Sequence, residues 1–269
     1  MTNQMLSIQA LRKTFNKGQA LEHKALQGIN LKMNEGEFVC VVGSNGAGKS
    51  TLFNCIAGSV MPDSGKIVLD GKDITFVRDY RRSRNLSRVF QDPLKGTSPN
   101  LTIAENISLA LGRSTHQNPL GLAMKKSKRE FIADTLAKFN IGLENRLDVK
   151  VGSLSGGQRQ TVCLLMAVIG KPKLLLLDEH TAALDPQATK NVLQITNDAV
   201  KMNNTTTIMV THNMEDALSY GSRTLVMHEG RFIADVTGDV RKNMSVDDLV
   251  ELFHEETGET LANDEMMLA

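Results

Sequence analysis

A glycine-rich segment in the first fifth of the chain has the residue types of a phosphate-binding loop. The segment GSNGAGKS, residues 43–50, fits the pattern G-x-x-x-x-G-K-[ST]. It follows the apolar run EFVCVVG, which suits a buried parallel strand, and it opens the helical pattern STLFNCIAG. Backbone N–H groups at such a helix start can bind phosphate oxygens. The pattern predicts a nucleotide site, whereas a turn that only connects strand to helix would leave Lys49 without a role.

Each residue of this loop has an expected contact with a bound nucleotide. Lys49 is expected to reach the β- and γ-phosphates, and the Ser50 hydroxyl is expected to bind Mg²⁺. Thr51 would add an N–H or a hydroxyl for the α-phosphate. The residues predicted to bind nucleotide here are Gly43, Ser44, Asn45, Gly46, Ala47, Gly48, Lys49, Ser50 and Thr51.

Two adjacent carboxylates end a second apolar run. The segment KLLLLDEHTAALDP, residues 173–186, places Asp178 and Glu179 directly after four leucines. By itself, an Asp-Glu pair at a strand end can be structural. Beside a phosphate-binding loop, Asp178 can hold Mg²⁺ through its water shell, and Glu179 can polarise the attacking water as a general base. The pair therefore predicts nucleotide hydrolysis.

The segment LSGGQRQ, residues 154–160, can form a second anion site. Ser155 and the N–H groups of Gly156 and Gly157 are expected at a helix N-terminus, where they can hold a γ-phosphate. The alternative is an ordinary helix start with a serine cap and a glycine pair. LSGGQ, which ends at Gln158, is the signature of the ATP-binding-cassette (ABC) ATPases, and the chain resembles that family.

The resemblance covers residues 5 to about 253, with every family motif in order. Alternating helices and strands independently indicate βαβ units and a parallel sheet. The fold implied is α/β: a P-loop NTPase parallel-sheet core, an N-terminal antiparallel β subdomain and an inserted α-helical subdomain. The expected division is an ABC ATPase domain with the core at 1–91 and 166–253, the helical signature subdomain at 92–165, and an acidic tail at 254–269.

The resemblance also implies a dimer that binds ATP and Mg²⁺. In the family, the signature faces the P-loop of the other subunit, so two nucleotides are sandwiched between two chains. One copy of each motif here implies a homodimer, or a pair with a paralogous ATPase subunit.

Four further residues match family positions. Gln91, in VFQDP, matches the glutamine that contacts Mg²⁺ and the attacking water, and His212 matches the switch histidine that contacts the γ-phosphate. Phe15 matches the aromatic residue that stacks on adenine, although many families carry Tyr there. Asp185 resembles the aspartate of a loop that crosses the dimer interface. A lone histidine at a strand end is more often structural, but beside the other motifs we favour the functional interpretation of His212.

His180 departs from the family pattern, which usually has Pro after the Asp-Glu pair. Two interpretations remain open from the sequence. His180 is either a tolerated substitution at a surface or turn, or a subfamily feature that contacts the interface.

The elements that must position these residues follow from local patterns. In LSIQA, Leu6, Ile8 and Ala10 should share one face of a strand, and Asp70-Gly71 indicates a hairpin.

Helices are expected in the middle and at the end of the chain. Thr102…Glu105 and Ser127…Glu130 indicate capping boxes on either side of a polar loop at 112–126. A later helix should begin near Pro186, and a last one over SVDDLVELF.

Composition narrows the possible partners. The chain has 269 residues, 4% aromatic content and a formal charge of +1, which disfavour base stacking and nucleic-acid binding. Cys40, Cys55 and Cys163 lie in apolar patterns and are expected to be small core residues. The basic run RDYRRSRNLSR, residues 78–88, is expected to be a solvated face or, alternatively, a contact for an acidic partner.

No apolar run is long enough to span a bilayer, so hydrolysis must drive another component. The resemblance implies the ATPase subunit of a bacterial ABC transporter, a peripheral protein on the cytoplasmic face whose groove around DPLKGTSPNLTIAENI receives permease helices. An unfused chain favours import with an extracytoplasmic solute-binding protein, and the variant DEHTAALDP suggests small organic solutes such as aromatic amino acids.

Three other functions are known for proteins with some of these motifs. A chromosome factor would need a long coiled coil, which the insertion is too short to supply. A P-loop kinase would leave the signature and the switch histidine without a role. A soluble non-transport ABC ATPase, such as an iron–sulfur assembly factor, remains the alternative.

Overall fold

The computed structural model describes residues 3–115, 126–139 and 141–258. The strands within these ranges are β1 (Gln4–Phe15), β2 (His23–Asn34), β3 (Phe38–Val42), β4 (Ser64–Leu69), β5 (Lys72–Asp73), β6 (Leu86–Val89), β7 (Leu174–Asp178), β8 (Thr206–Val210), β9 (Arg223–His228) and β10 (Arg231–Thr237). The helices are α1 (Lys49–Ala57), α2 (Asp79–Arg82), α3 (Ile103–Thr115), α4 (Lys126–Ala137), α5 (Gly156–Val168), α6 (Pro186–Asn203), α7 (Met214–Ser219), α8 (Gly238–Asn243) and α9 (Val246–Thr257). Short 3₁₀ helices lie at Pro93–Lys95, Leu143–Asn145 and Val151–Ser153.

Two sheets are formed by these strands. The larger has the order β10-β9-β3-β8-β7-β6, and its pairs are parallel except for the antiparallel β9–β10 pair. The smaller is antiparallel, with the order β2-β1-β4-β5. The α/β prediction, a parallel-sheet core with an N-terminal antiparallel sheet, is therefore confirmed. The division at residues 92 and 165 stays a prediction.

The central strand β3 is buried on both faces, as its apolar sequence predicts. Cys40 and Val42 belong to the hydrophobic cluster that contains the buried faces of α3, α4 and α5. Val39 and Val41 belong to the cluster that contains α1 and the antiparallel sheet. Because side chains alternate across a strand, β3 joins the two halves of the core. All three cysteines are buried in the core, as predicted.

The prediction that Ala10 shares a face of β1 with Leu6 and Ile8 is wrong. Leu6 and Ile8 are buried, but Ala10 is exposed with φ +46°, and Leu11 takes the next core position. The register with β2 and β4 shifts at this point. An extra residue in one strand moves the following side chains to the other face, which alternation alone does not reveal.

The Asp70-Gly71 hairpin is confirmed. Leu69 pairs with Lys72, and the two residues between them have φ +47° and +71°. Two consecutive positive φ values are those of a type I′ turn, which matches the right-handed twist of the flanking strands.

One of the two predicted capping boxes is present. Thr102 N donates to Glu105 Oε2 at 2.7 Å, and Glu105 N donates to Thr102 Oγ1 at 3.2 Å. The box at Ser127 is wrong, because the helix already includes Lys126 and Ser127 lies inside it. The predicted loop at 112–126 overlaps the end of α3, and residues 116–125 lie outside the described residues.

The helix predicted from Pro186 begins there, and the last helix, α9, buries Leu249 and Phe253 as expected. It continues to Thr257, past the expected domain end, and residues 259–269 lie outside the described residues. The segment 213–244 had no prediction, yet it forms α7, β9, β10 and α8. Of the helices described, none combines the length and apolarity needed to cross a bilayer.

The basic run at 78–88 is only partly the solvated face predicted for it. Arg82 is buried and donates to the carbonyls of Val77, Cys55, Ile56 and Thr75 at 2.6–3.0 Å. The Cys55 and Ile56 carbonyls lie in the last turn of α1, where a cation is favourable. Burial lowers the pKa of Arg82. This arginine therefore ties the end of α1 to the residues before α2.

Candidate nucleotide-binding site

Three neighbouring parallel strands end at one edge of the larger sheet. Gly43 follows β3, Asp178 ends β7, and His212 lies two residues beyond β8. The strand register pairs Val210 with both Val41 and Asp178. The carboxyl ends of parallel strands form the usual ligand crevice of such sheets. The tertiary structure thus brings the glycine loop, the carboxylate pair and the histidine segment to one edge.

Glycine is required in the loop by the close approach of other backbone. A Cβ added to Gly43 would lie 2.0 Å from Met227 O, and one added to Gly48 would lie 2.4 Å from Ala25 O. Gly48 also has φ +102°, in the region that favours glycine. As the N-cap residue of α1, Gly48 has no side chain to accept from the first N–H groups of the helix. Those donors are therefore left for an anion.

Lys49 is only 5% exposed, and its Nζ donates to Gly43 O at 2.6 Å and Ser44 O at 3.0 Å. The loop carbonyls therefore hold the ammonium group within the loop. Burial lowers the pKa of Lys49, while the nearby Glu179 and Asp178 carboxylates act in the opposite direction. A partly desolvated cation in this place suits a phosphate ligand.

A cavity of about 1050 Å³ adjoins the loop, and Ser50, Gln91, Asp178 and Glu179 are among the residues that line it. The first three offer hydroxyl, amide and carboxylate oxygens, which are the donors that Mg²⁺ prefers. In the ranges described, no group of three or more His, Cys, Asp or Glu side chains could hold a metal ion. The residues fit Mg²⁺ as it is usually bound, through one or two carboxylates with water and phosphate.

Asp178 has a partner that the motifs did not indicate. Arg88 Nη2 donates to Asp178 Oδ2 at 2.5 Å. Arg88 lies on β6, which pairs in parallel with β7. The only sequence signal was its membership of the basic run at 78–88, which does not show which arginine faces the site.

Glu179 has a strained backbone, with φ +44°. Its N–H donates to Val210 O at 3.0 Å, which holds the turn against β8. A positive φ in a residue other than glycine has an energetic cost and is concentrated at functional sites. The side chain is half-buried and lines the cavity.

Neither His212 nor Phe15 lines the cavity. His212 is half-buried between β8 and α7, and its charge acts on Asp216. Burial raises the pKa of Asp216 to about 6, with Glu215 acting in the same direction and His212 against it. Phe15 ends β1 with 36% of its surface exposed, and Lys13 Nζ lies 5.5 Å from its ring centroid.

The signature residues lie apart from this cavity, since Ser155, Gly156, Gly157 and Gln158 are absent from its lining. Ser155 is the exposed N-cap of α5, and it forms a capping box with Gln158 through two 3.3 Å hydrogen bonds. The serine-capped helix start considered as an alternative is therefore present. The box leaves Ser155 and the helix start facing outward, where another molecule can reach them.

The start of α5 packs against the start of α6. A Cβ added to Gly157 would lie 2.9 Å from Ala188 Cβ. Asp185 is the exposed N-cap residue of α6 and accepts from Ala188 N at 2.9 Å. The signature and the segment after Glu179 are therefore in direct contact within one chain.

His180 lies in the turn after β7, as one interpretation allowed, but it is neither at the surface nor available to an interface, because it is 2% exposed. Its Nε2 lies 3.1 Å from Thr196 Oγ1. Thr196 Oγ1 itself donates to Val192 O at 2.7 Å, so its proton is already used and Nε2 must be the donor. Burial lowers the pKa of His180 to about 4, which keeps the ring neutral near pH 7.

Known proteins resemble this chain in both sequence and fold. The model of the ABC transporter family matches residues 26–182. A tyrosine transport ATP-binding protein of Clostridioides difficile is 41% identical over 249 residues, which cover 93% of this chain and 98% of that protein. The spermidine/putrescine import ATP-binding protein PotA of Spiroplasma citri is 39% identical over 76% of this chain, which spans only 55% of PotA.

A solved structure supports the same conclusion. The ATP-binding cassette MJ0796, a dimer in a post-hydrolysis state bound to ADP and phosphate, has a TM-score of 0.72 and 28% identity, covering 87% of this chain and 98% of that one. The chain therefore belongs to the ABC transporter family, as a subunit that binds and hydrolyses ATP.

Proposed function

We propose that this chain is the ATPase subunit of an importer for an aromatic amino acid such as tyrosine. The observation that carries the proposal is the 41% identity to a tyrosine transport ATP-binding protein over almost the full length of both chains. The names of the other relatives, for spermidine/putrescine and thiamine, also describe import. The iron–sulfur assembly alternative is not favoured, because these relatives are named as transport subunits.

In the proposed mechanism, the glycine loop and the first turn of α1 hold the phosphates, with Lys49 against the β- and γ-phosphates. Ser50, Asp178 and Gln91 would hold Mg²⁺, which neutralises phosphate charge when bound. Glu179 orients the attacking water and accepts its proton. Its half-buried carboxylate lies in the same cavity as the magnesium ligands, which supports this role.

Two remaining contacts complete the mechanism. His212 contacts the γ-phosphate, and Phe15 stacks on adenine. The exposed ring of Phe15 and the position of His212 at the end of β8 support these assignments.

The active unit is a dimer in which the signature of one copy closes the site of the other. Within one chain, Ser155 does not line the cavity that Glu179 lines. The outward-facing start of α5 supplies a second set of N–H donors, which a partner's bound γ-phosphate would meet. Asp185 lies at the same surface, beside the contact of α5 with α6. The partner chain is a second copy or a paralogous ATPase subunit.

The dimer is peripheral on the cytoplasmic face of the membrane and docks on separate permease subunits. The cavity extends away from Glu179 to exposed Tyr80 and Lys95, and Asp92, Pro93 and Gly96 of the segment for which docking is expected also line it. A half-apolar groove of this kind suits the amphipathic helix of a partner. An extracytoplasmic solute-binding protein delivers the solute without touching this chain.

The proposal is tested by capture and by uptake. Tagged protein from solubilised membranes is expected to retain a multi-span permease, and recovery of only soluble partners would contradict the transport assignment. Cells that carry the transporter should accumulate labelled tyrosine, and this uptake should disappear with Glu179→Gln. Uptake of labelled spermidine but not of tyrosine would contradict the assignment of tyrosine as the solute.

A further inference from the structure

We propose that Arg88 is a positioning residue that neutralises Asp178 and thereby keeps divalent cations out of the site until a nucleotide is bound. This rests on the proposed function, because it requires Asp178 to be a magnesium ligand. Arg88 itself touches neither the phosphates nor the water in the proposed mechanism.

The ion pair is held in the interior and is not a loose surface contact. The Arg88 and Asp178 side chains are 13% and 16% exposed. Arg88 Nη1 also donates to Asn54 Oδ1 at 2.7 Å, and the guanidinium carbon lies 4.8 Å from the Phe90 ring centroid. With one Nη on each partner and its plane near an aromatic ring, the guanidinium is fixed in position. It therefore fixes the carboxylate that it binds.

These contacts connect Arg88 to each of the three proposed magnesium ligands. It binds Asp178 directly. Asn54 lies four residues after Ser50 on α1, so the two share one face of that helix. Phe90 immediately precedes Gln91. Arg88 thus contacts Asp178 itself, a residue on the helix face of Ser50, and the residue before Gln91. It does not occupy the ligand position of Ser50 or Gln91.

The charges at this edge of the sheet balance while the site holds no nucleotide. Asp178 and Glu179 contribute two negative charges, and Lys49 and Arg88 contribute two positive ones. Lys49 interacts with both carboxylates, whereas Arg88 pairs with Asp178. A divalent cation entering alone meets no net attraction and a nearby guanidinium. A nucleotide brings several negative charges and reverses this balance, so the cation enters with it.

The experiment measures cation binding without nucleotide, in the full chain, with Mn²⁺ as the probe and electron paramagnetic resonance as the readout. Arg88→Gln is expected to bind Mn²⁺ at least about tenfold more tightly than the unmodified protein, the change that a modest loss of charge repulsion produces. Arg88→Lys keeps the charge and should show no such gain. Arg84→Gln removes an exposed charge that lines the same cavity and should also leave Mn²⁺ binding unchanged.

In the double variant Arg88→Gln/Asp178→Asn, the gain in Mn²⁺ affinity should disappear. This loss would show that the additional Mn²⁺ binds at Asp178. If Arg88→Gln does not fold, as judged by its thermal melt, Arg88→Met is the second uncharged variant with the same expected gain. Equal Mn²⁺ affinity in the unmodified protein and the uncharged variant would overturn the proposal.

A failure of the proposed function would give a different experimental result. If Asp178→Asn alone left the Mg²⁺ dependence of ATP binding unchanged, Asp178 would not be a magnesium ligand. If that dependence changed while Arg88→Gln left Mn²⁺ affinity unaltered, only the role of Arg88 would be wrong.

Discussion

His180 Nε2 donates to Thr196 Oγ1 at 3.1 Å, which anchors the residue after Glu179 to the interior face of α6. The family usually has proline here, which stiffens a turn through its own ring. In this chain the turn is held by a buried side-chain hydrogen bond instead. Because Glu179 has a strained backbone, its orientation depends on what holds its neighbour.

The buried imidazole makes folding stability depend on pH. The pKa of His180 is about 4 in the folded chain, against about 6.5 when unfolded, so the unfolded state binds more protons between these values. The contribution of His180 to the free energy of unfolding is fully present above pH 6.5 and is lost as the pH falls through 4. The total loss is about 3 kcal/mol. Denaturant unfolding measured between pH 7 and 4 checks this.

His180→Gln is the matched control, because a glutamine amide can donate to Thr196 Oγ1 without titrating in this range. The raised pKa of Asp216, about 6, acts with the opposite sign, since it adds stability as the pH falls from 6 toward 3.8. The His180 effect is therefore the difference between the two proteins. Parallel stability curves for them would contradict it.

Glu179→Gln tests the general base. The amide is almost the same size as the carboxylate but cannot accept the proton of the attacking water, so hydrolysis should fall roughly 100-fold or more while ATP still binds. With ATP, the variant should elute as a dimer in size-exclusion chromatography. Hydrolysis at the rate of the unmodified protein would show that another group is the base.

Ser155→Arg tests the contact between subunits. Ser155 is exposed and does not line the cavity of its own chain, so a bulky cation there should leave ATP binding to the monomer intact. It should prevent closure over the partner's γ-phosphate and abolish hydrolysis. Nucleotide binding by fluorescence anisotropy, paired with a phosphate-release assay, separates the two effects.

Ser153→Arg is a suitable control, because Ser153 is an exposed serine before the signature. It should keep most of the hydrolysis. Activity retained in Ser155→Arg would exclude the dimeric site.

Gly48→Ala should lose nucleotide binding and stability together. The added Cβ would lie 2.4 Å from Ala25 O, at a φ of +102° that alanine rarely adopts. Gly46 also has a positive φ, +84°, but its added Cβ would meet nothing within 4 Å.

Gly46→Ala should therefore lower the free energy of unfolding only by the cost of the strained backbone, about 1–3 kcal/mol. Calorimetric melting and ADP titration of both variants measure the difference. Equal losses would mean that the clash with Ala25 is relieved by movement of the loop.

Arg82→Met should destabilise the fold by about 3 kcal/mol, because three buried carbonyls and one half-buried carbonyl lose their donor. Arg84→Met removes an exposed arginine from the same run and should change the free energy of unfolding by less than about 0.5 kcal/mol. Chemical denaturation of both variants gives the comparison. A small effect for Arg82 would indicate that water replaces the guanidinium.

Local patterns predicted much of the fold and the candidate site. The buried strand β3, the Asp70-Gly71 hairpin, the Thr102 cap and the helix from Pro186 all depend on neighbouring residues, and all are present. The segment at 213–244 was missed, because its short strands owe their place to β3 and to buried Arg241 on α8, which donates to Thr224, Ala217 and Tyr220. Propensity alone does not contain such distant contacts.

The sequence by itself determined which segment forms the glycine loop, which strand ends in carboxylates and where the signature helix begins, because glycine conformations, apolar runs and capping residues act within a few positions. Only the tertiary structure decided that Arg88 forms an ion pair with Asp178, 90 residues away, and that His180 faces inward to Thr196. Both depend on which strand or helix lies alongside. Side-chain pairing across elements is decided by packing, and no local pattern encodes it.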